Sequence, residues 1–206
     1  MEGKYYYHGT DLKSLESIFN NYGIKCRRMI EEENIDINRT LDVTFGIGYN
    51  GLEYISLCKL NNDSFSKDSA YDTFIHDNYC VILAGNIPAL KTMDLYDPLV
   101  KEQYKNEITY FVRNRDKSIL RFSDMKDEWQ VKTFIPFKDI IGIGIPLRRE
   151  SRILSKQDKK RVNDLLQIAY ILGLDIVDTS NYKFALEYEE EKSISEEVVK
   201  IRKITR

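Results

Sequence analysis

An α+β domain is the fold class this sequence predicts, on three observations. Short β-prone runs recur through the first 146 residues, few long helical periods separate them, and the longest helical period comes only after Pro146. Strands alternating regularly with helices would indicate a doubly wound parallel sheet. Strands gathered ahead of the long helix indicate a split mixed or antiparallel core with flanking helices. The expected division is a core over residues 1–146 and a C-terminal helical or αβ extension over 147–206 packed on it.

The elements follow in order. Residues 4–8 alternate poorly but are strongly β-prone, which predicts a buried first strand. Thr10 or Asp11 then caps a helix in which Leu12, Leu15, Ile18 and Phe19 recur at helical spacing, with Gly23 as its closing glycine. The polar stretch from Lys25 to Leu41 reads as a surface loop with some helix. Tyr54–Leu57 is a strand, and the glycines before it (Gly46, Gly48, Gly51) lack the strand–turn–helix context of a phosphate-binding fingerprint. The apolar run Asn78–Ala84 predicts a central strand. Glu107–Val112 reads as a strand, as does Glu128–Phe134, where Trp129, Val131 and Thr133 alternate with polar neighbours. Ile140–Ile145 is a further strand ending at Pro146. Ser155 caps a helix over about 156–172, Leu174–Val177 closes the sheet, and the charge-dense stretch from Glu187 is frayed or helical.

Composition narrows the function classes. Charged residues make up 31% of the chain, yet the formal net charge is −2, so no global field attracts nucleic acid and an anionic partner must be met by a local patch. Arg113, Arg115, Lys117 and Arg121 form one cationic run; it reads first as a solvated turn balanced by Asp116, Asp124 and Asp127, and alternatively as a phosphate-contacting surface for a nucleic acid. Cys26, Cys58 and Cys80 lack C-x-x-C spacing, so neither a disulfide framework nor a zinc site is expected, and a reducing cytoplasm is. No apolar leader opens the chain and no run reaches the roughly 20 apolar residues of a membrane span.

Chemistry concentrates in Tyr5-Tyr6-Tyr7-His8-Gly9-Thr10. His8 is one of only two histidines; the other, His76, sits in a polar context and reads as structural or exposed. His8 falls at a strand end, where side chains emerge from the sheet and can face a ligand. Taken singly, a strand-end histidine, a strand tyrosine such as Tyr54 and a strand-opening glutamate such as Glu128 are more often structural or solvated. It is their order along the chain that carries information.

In that order, His8-Gly9-Thr10, Tyr54 and Glu128-Trp129-Gln130-Val131 resemble the histidine–tyrosine–glutamate branch of the ADP-ribosyltransferase superfamily, which contains diphtheria toxin, the PARP enzymes and, more loosely, the DarT toxins. The likeness covers about residues 4–146. It implies that NAD is the substrate, that no metal takes part, and that the product is a mono-ADP-ribosylated protein or nucleic acid, as in toxins and defence effectors. It further implies that His8 bonds the adenosine ribose, that Gly9 lets the backbone approach the carboxamide, and that Thr10 belongs to the same loop. Tyr54 matches the motif tyrosine, Ser69 and Tyr71 resemble the serine and stacking tyrosine of the PARP type, and Glu128 is the carboxylate beside the ribose. Lys126, two residues before Glu128, departs from the Glu or Gln of toxins that modify arginine. Two other classes stay open: a non-catalytic module of this fold that binds a nucleotide or protein, and an NAD glycohydrolase in which water replaces the acceptor.

Overall fold

The computed structural model describes residues 2–36, 53–61, 79–91, 128–147, 154–180 and 184–204. The expected strand Glu107–Val112 lies outside these residues. Strand β1 (Glu2–Thr10) leads to helix α1 (Leu12–Asn20), strand β2 (Gly23–Lys25) and a short helix α2 (Arg27–Glu32). Strands β3 (Tyr54–Asn61), β4 (Tyr79–Leu83), β5 (Leu90–Lys91), β6 (Glu128–Lys132), β7 (Phe134–Pro136) and β8 (Ile140–Ile145) follow. Helix α3 (Lys156–Ile171), strand β9 (Asp175–Asp178) and helix α4 (Phe184–Ile204) complete the order. Seven strands form one sheet in the order β5-β6-β3-β1-β4-β8-β9, while β2 pairs with β7. All pairings are antiparallel except β8 with β9. The protein is therefore mixed α+β with a mostly antiparallel sheet.

Both faces of the central strands are covered, which explains why β1 and β4 do not alternate between apolar and polar residues. On one face Tyr6, Val81, Leu83 and Ile143 pack with Leu15 and Ile18 of α1 and with Val162, Leu165 and Ala169 of α3. On the other, Tyr7, Cys80 and Ile82 pack with Phe184, Ala185 and Tyr188 of α4. The register Tyr6↔Leu83, Tyr7↔Ile82 and His8↔Val81 keeps each cross-strand pair on one face. Residues 147–206, expected as an extension packed on the core, supply β9 to the same sheet and a helix to each of its faces. Among the described residues no helix is long and apolar enough to cross a membrane.

Local chemistry sets the element ends. Asp11 is the cap of α1, its carboxylate accepting from the Ser14 amide at 2.8 Å, and Thr10 is left to the sheet. At the other end the left-handed residue is Tyr22 (φ 56°), and Gly23 instead opens β2. The single strand expected over Glu128–Phe134 is broken at Thr133, whose φ of 63° turns the chain from β6 to β7. Its amide donates to the Glu53 carbonyl and its carbonyl accepts from the Cys26 amide, each at 2.7 Å, so the bend joins the two sheets. Ser155 caps α3 as expected, accepting from the Asp158 amide at 3.1 Å.

Helix α4 is fixed by polar contacts around its apolar ones. The Tyr7 hydroxyl donates to the Glu189 carboxylate at 3.2 Å, and the Tyr188 hydroxyl donates to Asp175 at 2.7 Å, where Lys192 also pairs. Burial is the main cause raising the pKa of both phenols, so both remain protonated donors. Gly144 marks the tightest approach in this layer, since a Cβ there would collide with Cys80 Sγ and Thr179 Cγ2. Gly144→Ala is expected to destabilise the fold by about 1–3 kcal/mol through overpacking; a denaturant midpoint unchanged from wild type would contradict this packing.

Candidate functional site

The predicted site residues that lie among the described ones are His8, Gly9, Thr10, Tyr54 and Glu128. Ser69, Tyr71, His76, Arg113, Arg115, Lys117, Arg121 and Lys126 lie outside them. His8 stands near the C-terminal end of β1, the central strand of the large sheet. Pleating places it on the α1 face with Tyr6 and Thr10, whereas Tyr5 and Tyr7 pack towards α4.

One hydrogen bond orients the imidazole. His8 Nδ1 lies 2.9 Å from the Ser56 carbonyl of the neighbouring strand. A carbonyl only accepts, so Nδ1 carries the proton, and in the neutral ring Nε2 keeps its lone pair. Burial of the ring pulls its pKa below the ordinary histidine value, and the Ser56 bond opposes that only in part. His8 is partly buried by surface area, so the neutral ring stays in reach of a ligand at its open side. Among the described residues no hydrogen bond or ion pair engages Nε2. The arrangement presents a fixed acceptor suited to a hydroxyl donor such as a sugar OH.

The neighbouring residues differ in what they offer. Gly9 lies opposite Cys80 and adds no side chain. Thr10 is buried opposite Tyr79, its hydroxyl leaning 3.4 Å towards the Asp11 carbonyl. Ser56 supplies its backbone to His8, a role no side-chain motif could have revealed.

The remaining two candidates are distributed along β3 and β6. Glu128 opens β6 in register with Cys58, which in turn faces Tyr7. Its backbone therefore stands at the level of the Tyr7–His8 step, two strands away, or about 10 Å at ordinary strand spacing. Tyr54 opens β3 four residues earlier, in register with Lys132. That is about 13 Å along the sheet from the Glu128 level. By the pleat, Tyr54 shares the face of Cys58 and Tyr7, and His8 the opposite one. The structure thus brings the backbones of His8 and Glu128 to one level of the sheet but, by the pleat, puts the Glu128 position on the Cys58 and Tyr7 face with Tyr54, opposite His8, and leaves Tyr54 at the sheet's end.

That end has a polar contact the sequence did not reveal. Arg28, exposed on α2, pairs with Glu53 at 2.8 Å, one residue before Tyr54. Among the described residues no group of three His, Cys, Asp or Glu side chains is arranged to hold a metal. No protein-family model and no curated protein sequence matches this chain.

The linkage at His8 has a definite sign. Its pKa is depressed in the fold, so the stability that depends on the neutral ring is full above the unfolded value of about 6.5 and declines as pH falls through the folded one. Histidine NMR titration is expected to give a midpoint below 6.5 with the Nδ1–H tautomer, and His8→Gln is expected to lose stability less steeply than wild type below that pH. A midpoint above 6.5 would remove the buried, carbonyl-held ring from the account.

Proposed function

We propose that this chain is an NAD-dependent mono-ADP-ribosyltransferase of the histidine–tyrosine–glutamate type, acting as a toxin or defence effector. The observation that carries the reading is the oriented imidazole: His8, followed by Gly9-Thr10 at a central strand end, holds Nδ1 on the Ser56 carbonyl and keeps the Nε2 lone pair unengaged among the described residues. That is the role the motif resemblance assigns to the histidine, acceptance of a bond from a ribose hydroxyl.

The reaction needs little covalent chemistry from the protein. The bond between the ribose anomeric carbon and nicotinamide breaks, nicotinamide leaves with the bonding pair, and positive charge develops on the ribose ring. The acceptor's nucleophilic atom then bonds the anomeric carbon and gives up its proton. Glu128 is the carboxylate that stabilises the cation and orients the nucleophile. Tyr54, with Ser69 and Tyr71, completes the nicotinamide pocket in this reading. The acceptor is a protein or a nucleic acid, met in the latter case by Arg113, Arg115, Lys117 and Arg121.

A second reading follows from one observation, the placement of His8 on the sheet face opposite the positions of Tyr54 and Glu128. A module that binds a nucleotide or protein without turnover needs only the His8 face. An NAD glycohydrolase differs from the transferase in its acceptor alone.

Purified protein incubated with labelled NAD and cell lysate, with nuclease and protease treatments in parallel, separates these readings. The expected result is nicotinamide release with label carried to a macromolecule, sensitive to one of the two treatments. Nicotinamide release without transferred label identifies the hydrolase, and no NAD consumption by folded protein leaves the binding module. Glu128→Gln is expected to lower turnover by at least about a hundredfold, the scale of losing one transition-state charge contact, with the thermal midpoint within a few degrees of wild type. Full activity in that variant would remove Glu128 from the mechanism.

A further inference from the structure

The strongest unassigned feature is a buried phenol beside His8. Tyr79 opens β4 and pairs across to Thr10 of β1, while His8 pairs with Val81. Tyr79 is therefore the diagonal neighbour of His8 on the same sheet face, about 7–8 Å away at the backbone and within reach of a long side chain. Tyr79 and Val81 belong to the α1/α3 layer, in one cluster with Leu15 and Ile18 of α1.

In that layer the phenol is an exception. Tyr79 is only 7% exposed, its hydroxyl is shut off from solvent, and among the described residues nothing bonds it. Thr10, directly opposite, turns its own hydroxyl to the Asp11 carbonyl. On the other sheet face the phenols of Tyr7 and Tyr188 each donate to a carboxylate. A buried hydroxyl without a partner lowers stability, so stability alone would favour phenylalanine at position 79. The fold instead keeps an unpaired donor diagonal to His8, whose Nε2 is an acceptor that no hydrogen bond engages among the described residues. The two groups call for the same chemistry. A phosphate or carboxylate could accept from the phenol but has no proton to give a neutral imidazole, whereas an alcohol oxygen carries one proton and two lone pairs.

We infer that Tyr79 is a further binding residue of the His8 site, its hydroxyl donating to the ribose hydroxyl whose proton goes to His8 Nε2. This rests on the dinucleotide reading above. Because the phenol is closed off, its ring shifts as the ligand enters. Binding then supplies the partner that the hydroxyl lacks among the described residues. Tyr79 thus lowers the stability of the fold and raises its affinity for a ribose, two effects that a merely structural tyrosine would not combine.

The test compares wild type with Tyr79→Phe, by thermal unfolding without added ligand and by calorimetric titration with NAD, adenosine and 2′,3′-dideoxyadenosine. Tyr79→Phe is expected to raise the melting midpoint by about 2–4 °C, because it removes a buried donor without a partner. It is expected to weaken NAD and adenosine binding about tenfold, and to leave the weaker binding of the dideoxy compound unchanged. An unchanged or lowered midpoint, or failure to fold, overturns the proposal, since the hydroxyl would then serve the fold itself. A raised midpoint with adenosine affinity intact also overturns it. So does an equal loss for adenosine and the dideoxy compound, which would assign Tyr79 to shape alone. Tyr79-dependent adenosine binding by a protein that consumes no NAD upholds the site and sinks the transferase reading instead. Wild type that binds neither NAD nor adenosine sinks the dinucleotide reading, and this proposal with it.

Discussion

The structure depends on β1 and β4 being buried on both faces. Their side chains alternate between an α1/α3 layer and an α4 layer, so over Tyr6–Tyr7 and Tyr79–Leu83 neither strand has a wet side. A pair of strands in that position cannot slip by one residue, because every side chain would exchange layers. The rest of the sheet takes its register from this pair: β3 follows β1, β6 follows β3, and β8 follows β4. In the α4 layer the buried phenols of Tyr7 and Tyr188 are satisfied, by Glu189 and Asp175.

The same constraint creates the candidate site. At His8 an ionisable ring takes a position the pleat assigns to the interior face, where the protonated form is disfavoured. The Ser56 carbonyl satisfies one nitrogen, and Nε2 is what remains. The position of His8 follows from where the strand ends: three residues further along, Asp11 is already committed to capping α1. Charge is distributed in a corresponding way. Carboxylates gather on α4, α2 and the turns, while the lysines of β3 and β5 lean on aromatic rings beside the His8 level.

Much of this frame was legible in the sequence, and the reasons are local. Ile140–Ile145 could be read to the residue because an apolar run ending in Pro146 has no competing period. Tyr79–Leu83 and Lys156–Ile171 were visible within a residue or so for similar reasons, the latter with its Ser155 cap. The break at Thr133 was not, since nothing in a β-branched residue announces a positive φ; it is imposed by backbone bonds to Glu53 and Cys26. Nor was the pairing of β2 with β7, which joins three-residue strands more than a hundred positions apart. At the site, the order of His8, Tyr54 and Glu128 was legible, whereas which of them share a face was not. That depends on pairing register, a property of two strands together. Ser56 was invisible for a stronger reason, because it acts through its main chain.

The closure of the second face has a consequence for biosynthesis. The Tyr7 hydroxyl donates to the Ala185 carbonyl and the Glu189 carboxylate of α4, with Ala185 lying 178 positions beyond Tyr7. Throughout translation of that interval, Tyr7, Cys80 and Ile82 have no helix over them. The nascent chain therefore carries an open, apolar sheet surface until α4 has left the ribosome, a window in which a holdase chaperone competes directly with self-association.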